Sequence, residues 1–488
     1  MLFSSLTFLY AFLPLSLLVY VLGRNIKQKN IILLVSSLVF YAWGEPKYVL
    51  LLLAMSIADW FIAKRLDWAR SERARKCWLT GAIVLNLALI GFFKYSGLIA
   101  SVFGEVPDFI ANIALPLGIS FYTFQLISYV VDVYRGDVAA RDNPLDVLLY
   151  ASLFHQCIAG PIVRYNTIET ELFVERRASG TIVEGVKRFS WGLGKKVILA
   201  NACCELADKL LLSDADIAGG IAVADGVAQL AAVPVAGLWL GMFAYMLHIY
   251  LDFSAYSDMA IGLGLMIGLH YPENFDHPYM SKSVTEFWRR WHMSLGTFFR
   301  DYVYIPLGGS RRGTARTLLN LLIVWGLTGL WHGASWTFVI WGLYYFVFLA
   351  LEKFGLRRVF ERLPKPITWV YTMLVVFFGW AIFKFTDLEL LGTLLRGMFG
   401  LTGNAATSYQ VTVLLKNNVF ILLAALVFCT PVFGYIGSRL GADAAAKSPA
   451  LSKVYNICVC CVIPAALLVL STSLLVGDSY NPFIYFNF

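Results

Sequence analysis

The chain has 488 residues, of which 59% are hydrophobic and only 14% charged, and its mean hydropathy is +0.69. Soluble domains average about a quarter charged residues, so a soluble globular protein is excluded, and many windows approach the roughly 20 apolar residues that a helix needs to cross a bilayer. The net charge of +8 does not point to nucleic acid, because the basic residues sit in short loops between apolar segments, where the positive-inside rule accounts for them.

In chain order, residues 3–21 form a retained first span, with neither a positive n-region nor a small-residue cleavage site ahead of Arg24. Residues 31–43 and 48–63 make a pair joined by Gly44-Glu-Pro-Lys47. The next loop carries Lys64, Arg65, Arg70, Arg73, Arg75 and Lys76 against Asp67 and Glu72, which marks it as cytoplasmic and puts the N-terminus outside. Residues 78–93 cross outward and 115–133 return. Ser120, Thr123, Gln125, Ser128 and Asp132 give that returning helix too much polarity to face lipid, so it is predicted to line the protein interior.

Gly160-Pro161 should break the following segment. The polar stretch after it, with Arg164, Arg176, Arg177, Lys187, Arg188, Lys195 and Lys196, is compatible with membrane depth only if it is buried in protein or lines a cavity. Asp214, Asp216 and Asp225 place their loop outside. A span over 233–251 ends at Asp252, with His248 and Asp252 at i,i+4 and expected to hydrogen-bond, and 259–269 is short enough to be re-entrant. Spans at 367–383, 418–436 and 455–476 complete the chain and leave the C-terminus outside. The pattern predicts an all-α polytopic membrane fold of roughly 9–12 spans plus re-entrant and interfacial helices. Residues 1–488 read as one domain. The eight cysteines form no disulfide framework or paired metal-ligand motif, and no metal site is predicted.

Chemistry concentrates in residues 285–341, which hold His292 and His332, two of six histidines. Ser283-Val-Thr-Glu286 fits a capping box, and the helix it starts pairs Glu286 with Arg290. Trp288, Trp291, His292 and Leu295 share another face, as in a helix lying in the membrane interface. His332 sits in an apolar run over 318–350, between Arg311, Arg312 and Arg316 on one side and Lys353, Arg357 and Arg358 on the other. If both flanks are cytoplasmic, the run must enter and return, turning near 329–335. The first arm, about 13 residues, would reach only ~20 Å into a core of ~30 Å. A neutral imidazole there can serve as a base toward a hydroxyl, typically worth ~10²–10⁴-fold. A structural histidine, and behind it a proton pathway, stay open on the residues alone. No H-E-x-x-H, G-x-S-x-G, Walker A or H-x4-D sequence competes.

Glu286-Phe-Trp-Arg-Arg-Trp-His-Met-Ser-Leu295, Phe299-Arg-Asp-Tyr302, Tyr304-Ile-Pro-Leu-Gly-Gly309 and Gly329-Leu-Trp-His-Gly-Ala334 together resemble the membrane-bound O-acyltransferase (MBOAT) family, in the branch that O-acetylates alginate. The likeness extends from Leu115-Pro-Leu-Gly-Ile-Ser-Phe-Tyr-Thr-Phe-Gln125 to Pro482-Phe-Ile-Tyr-Phe486. It implies a helical funnel with a thin floor, His332 as the catalytic histidine and His292 as the second functional one. Trp288, Arg289, Arg290, Trp291, Arg300 and Trp331 become candidate substrate contacts, the arginines toward a donor's phosphates. It further implies acetyl-CoA or another acyl thioester as a cytoplasmic donor with no bound cofactor, and residence in a bacterial inner membrane. Partners would be extracytoplasmic acetyltransferase proteins and the polysaccharide synthesis machinery. Transfer of D-alanine from a carrier protein to teichoic acid, or transport without covalent chemistry, are the alternatives. His277 before Pro278, and Asn201, depart from the family pattern. Cysteine accessibility scanning across residues 311–358 should label both flanks of the His332 run from the same side, and labelling from opposite sides would reject the hairpin.

Overall fold

The structure is a computed structural model and describes residues 1–477 except 105, 112, 177–180, 214, 215 and 218. Arg177, Asp214 and the Pro482-Phe-Ile-Tyr-Phe486 motif lie outside the described residues. Among the described residues there are helices and no strand, as predicted. Among the described residues, six helices are long and apolar enough to cross a membrane: Glu72–Phe103, Val235–Ile267, Trp336–Leu356, Lys365–Lys384, Tyr409–Phe428 and Pro449–Gly477. Only 11% of the most apolar window of Pro449–Gly477 is buried in protein, against 72% for Val235–Ile267. The first therefore offers its sides to lipid, while the second is walled by protein. Apolar flanks this extensive are stable only in hydrocarbon, and the chain is a multi-pass membrane protein.

Contacts divide the chain into two compact units, each assembled from separate stretches. The first comprises Met1–Ser190, Tyr256–Glu273 and Thr297–Tyr302, and the second Trp191–Ala255, Asn274–Gly296 and Val303–Phe488. With no linker between them, no composition shift marks the division.

In the first unit, α1 (Ile26–Gly44), α2 (Val49–Trp68), α3 (Glu72–Ile90), α4 (Ile119–Arg135) and α5 (Pro144–Ser152) gather around α4. Ser120, Thr123, Gln125, Ser128 and Asp132 of α4 are all buried, so the polar helix does line the interior. Asp132 accepts from Tyr302 Oη at 2.7 Å and from the Asn166 amide at 3.3 Å. After α5 the backbone leaves the helix, and Gly160 adopts φ +107° beside the predicted Pro161 break, a conformation that favours glycine. Buried tyrosines satisfy carbonyls in these irregular stretches: Tyr150 donates to Val163 O at 2.8 Å and Tyr41 to Leu117 O at 2.9 Å. Non-helical backbone at this depth requires such partners.

The second unit corrects three expectations. α6 (Val235–Ile267) is one 33-residue helix, not a span followed by a re-entrant segment, although its residues from Tyr256 on belong to the first unit. The helix continues through its polar stretch because Asp252, Ser254 and Ser257 are buried in protein. His248 and Asp252, expected to bond each other, both reach the π-helical turn Lys195–Ala200. His248 Nδ1 lies 3.0 Å from Ala200 O, and Asp252 pairs with Lys196 Nζ at 2.7 Å. The span expected at 418–436 is instead Tyr409–Phe428, with a separate helix Val432–Lys447. Pro431, which lacks an amide hydrogen and clashes with the preceding turn, separates them.

The remaining elements are α7 (Val284–Arg290), α8 (Met293–Phe299), α9 (Thr314–His332), α10 (Trp336–Leu351) and α11 (Lys365–Lys384). α9 and α10 form the hairpin that the basic flanks require, turning at 333–335. Its first arm has 19 residues, about 28 Å at 1.5 Å per residue, where about 13 residues were expected. The difference lies in residues counted as flank that are helical and use their polarity locally. Arg316 Nε donates to Leu307 O at 3.1 Å and Asn320 Nδ2 to Gly309 O at 2.9 Å. The arm thus approaches the full core thickness of ~30 Å rather than stopping partway.

The two arms touch backbone to backbone. A Cβ on Gly329 would lie 2.3 Å from Phe338 O, and one on Gly342 2.3 Å from Trp325 O. Gly329→Ala should therefore destabilise the protein by about 1–3 kcal/mol, and an unchanged unfolding midpoint in detergent would contradict that close approach. Lys196→Met alone strands a buried carboxylate and should cost roughly 3–5 kcal/mol, most of it recovered in the Lys196→Met/Asp252→Leu pair. Equal midpoints for the single and double variants would show that the ion pair is not what matters there.

Candidate active site

The Ser283 cap forms as predicted, but the reciprocal bond of the box falls one residue earlier, on the Lys282 amide instead of that of Ser283. Ser283 Oγ accepts from the Glu286 amide at 3.0 Å, and Glu286 Oε2 accepts from the Lys282 amide at 2.9 Å. The helix then stops after two turns, where a continuous interfacial helix through Leu295 was expected. Trp291 caps it in extended conformation and His292 takes φ +46°. The cause is Asn274, whose backbone carbonyl accepts from the Met293 amide at 3.0 Å. Its side-chain Oδ1 accepts from the Ser294 amide at 3.3 Å and from Ser294 Oγ at 2.8 Å. This places His292 in the protein interior instead of on an amphipathic surface, 1% exposed. Its Nδ1 lies 3.1 Å from Asn274 Oδ1. Phe253 meets the ring edge-on at 4.8 Å. Burial pushes this imidazole, which lies outside the six spans, down to about 3, so it is neutral across the physiological range.

His332 is the last residue of α9, and its helix ends at extended Gly333. A Cβ on Gly333 would lie 2.1 Å from the Phe338 ring, so only glycine lets the chain turn this tightly past Phe338. The His332 ring is buried among Trp331 at 4.9 Å, Trp341 at 4.9 Å and Phe383 at 5.2 Å. Trp331 also meets His292, at 5.8 Å. The two predicted histidines therefore share one indole as a common neighbour. Trp331 is the predicted contact that the fold brings directly to both.

The other predicted residues separate by environment. Trp288 packs edge-on against Trp325 and Tyr345, each at 4.8 Å, and against Trp341 at 5.4 Å, joining α7 to both hairpin arms. Trp291 is buried against Trp380 at 4.7 Å and Phe275 at 5.0 Å, a core position. Arg290 is held by Glu286 at 3.0 Å and Asp276 at 3.4 Å. Arg300 belongs to the first unit and pairs with Asp301 at 2.7 Å. Burial works against ionising Asp301, yet Arg300 and Arg164 hold its carboxyl below the usual range. Arg289 is exposed and lines a cavity of about 740 Å³ whose charged lining is mixed, with Lys282, Lys353 and Lys365 beside Glu286, Glu352 and Glu361. Of the three arginines, it is the one without an acidic partner in the described structure.

Sequence reasoning missed Asn274, Ser294 and Glu352. Glu352 follows the last residue of α10 and is 5% exposed. It accepts from the Val284 amide at 2.6 Å, the Thr285 amide at 2.8 Å and Thr285 Oγ1 at 2.6 Å. The foot of the hairpin thereby caps the start of α7, satisfying amides that a helix N-terminus leaves open. An acid closing an apolar run was a visible signal for Glu352. Nothing local marked Asn274, because its partners lie 18–20 residues downstream.

Four buried polar atoms around these rings have no protein hydrogen-bond partner among the described residues: His292 Nε2, Trp288 Nε1, Trp341 Nε1 and Tyr345 Oη. Among the described residues, no group of His, Cys, Asp and Glu side chains could hold a metal ion.

Comparison with known proteins identifies the family. A profile of the membrane-bound O-acyltransferase family matches residues 138–394. The chain is 37% identical to the probable alginate O-acetylase of Azotobacter vinelandii over the full length of both proteins. It is 38% identical to that of Pseudomonas aeruginosa, over 90% of this chain and 82% of the relative. It is also 30% identical to the peptidoglycan O-acetyltransferase of Helicobacter pylori, over 100% of this chain and 98% of the relative. The chain belongs to the membrane-bound O-acyltransferase family and is an O-acyltransferase.

Proposed function

We propose that this enzyme moves an acetyl group from a cytoplasmic thioester donor across the bacterial inner membrane for O-acetylation of an extracellular polysaccharide such as alginate. The observation that carries the reading is the pair of buried imidazoles on one tryptophan at the hairpin turn, in a chain whose full-length relatives are O-acetylases. His332 acts as the base. It takes the proton of the acceptor hydroxyl as that oxygen attacks the thioester carbonyl. The C–S bond breaks, and the proton passes to the leaving thiolate, so that ester and free thiol result. His292 hydrogen-bonds on the donor side, and Trp331 holds both rings in register.

Acetyl-CoA is the simplest donor. Its phosphates gain little from Arg290 and Arg300, which already have carboxylate partners, and more from Arg289, whose cavity holds four basic against three acidic side chains. The acetyl group, now an ester on the acceptor, is passed on to extracytoplasmic acetyltransferase proteins and the polymer synthesis machinery. The acidic loop outside and the basic 64–76 loop inside support extracytoplasmic termini.

His332→Ala should lower polymer acetylation by ~10²–10⁴-fold at matched protein level, the usual worth of a general base. Undiminished acetyl content would remove His332 from the mechanism. Turnover of acetyl-CoA by purified protein without any carrier protein supports the donor assignment, whereas a strict requirement for a charged carrier protein points to D-alanyl-type chemistry instead.

A further inference from the structure

We propose that Asn274 is a positioning residue that fixes His292 as the neutral tautomer protonated on Nδ1, leaving the Nε2 lone pair to accept a hydrogen bond from an N–H or O–H of the substrate. This rests on the reading of His292 and His332 as one active site.

The hydrogen-bond network settles the tautomer by elimination. The Ser294 backbone amide can only donate, and it points at the Asn274 side chain at 3.3 Å, so the atom there is the carbonyl oxygen and not the amide nitrogen. An amide oxygen can only accept. The His292 nitrogen 3.1 Å from it must therefore carry the proton. Ser294 Oγ, at 2.8 Å from the same oxygen, donates to it as well. It lies farther from His292 Nδ1, at 3.4 Å, and does not displace Asn274 as that nitrogen's partner. With Nδ1 protonated and the ring neutral, Nε2 holds a lone pair and has no protein partner among the described residues. It is an acceptor in waiting, on a ring that faces the indole shared with His332.

The same residue also sets where the ring stands. Asn274 O takes the Met293 amide, and Asn274 Oδ1 takes the Ser294 amide. Both bonds bracket His292 and hold the left-handed backbone that turns it inward. A left-handed non-glycine residue persists only when its surroundings over-determine it. Here one asparagine supplies the backbone bonds and the tautomer bond together. Burial alone drives the shift of His292, and among the described residues Phe253, Trp331, Asn274 and Ser294 face the ring.

The test uses the full-length protein in membranes, with acetyl-CoA as donor. Asn274→Asp keeps the acceptor oxygens but adds a negative charge beside Nδ1, which favours the imidazolium. The acid limb of the kcat/KM–pH profile should move to higher pH by roughly one to three units. Asn274→Ala should lower kcat by roughly 10–100-fold, the usual effect of losing an outer partner that orients a histidine, with KM little changed and protein yield retained. An unmoved acid limb in Asn274→Asp together with full kcat in Asn274→Ala would overturn the proposal. His292→Ala separates the two levels. If His292→Ala is fully active, the active-site reading of His292 fails. If it is inactive while both Asn274 variants behave as wild type, only the role of Asn274 fails. Should the Asn274 variants not accumulate, ¹⁵N NMR of histidine-labelled wild type, assigned against His292→Gln, reads the tautomer directly. A proton on Nδ1 supports the proposal and a proton on Nε2 refutes it.

Discussion

Contact between two backbones sets the geometry of this active region. Gly329 and Gly342 let the arms of the α9–α10 hairpin cross with no side chain between them. Because the arms meet there, the three-residue turn beyond them is held short, and His332 sits at its lip. The same closeness lines up Trp325 on one arm with Trp341 and Tyr345 on the other, forming the aromatic face that receives Trp288. Interfaces in membranes lack a hydrophobic driving force and depend on such small-residue approaches. Here the approach is intramolecular and serves to position one imidazole.

A second constraint is that every helix start must satisfy its amides. α7 meets it twice, through Ser283 in its own chain and through Glu352 at the foot of the hairpin. α8 begins where Asn274 receives the Met293 and Ser294 amides. The short segment between those anchors is what carries Trp291 and His292. Local hydrogen-bond accounting, more than apolar packing, thus decides where the second histidine stands.

These mechanisms explain what could be seen in advance. The polar residues of α4 signalled an interior helix because a lipid-facing helix cannot bear them, and all five are buried. The basic flanks at 311–316 and 353–358 required an even number of crossings, and the hairpin is there. Ser283 and Glu286 signalled a cap through fixed local spacing; the Ser283 bond forms, and Glu286 reaches back to the Lys282 amide. What was not legible depended on distant partners. Asp252 looked like the end of a span because Lys196, far off in sequence, does not show in a hydropathy window. Trp291 and His292 looked helical because the pattern 288, 291, 292, 295 fits a helix face, yet Asn274 breaks that helix from a loop. Arg300 looked available for phosphate until Asp301 was seen to hold it, and Arg290, paired with Glu286 by its spacing, is held by Asp276 as well.

The Lys196–Asp252 pair also bears on how the chain enters the membrane. Each charge sits on a different segment, one in the Lys195–Ala200 turn and one midway along α6. A translocating channel that released these segments one at a time would expose an uncompensated charge to hydrocarbon, at about 2.5–3.5 kcal/mol each on insertion scales. Joint release avoids that cost, because α6 then supplies the counter-charge to the earlier segment. The buried pair makes the order of biogenesis a property written into the finished fold.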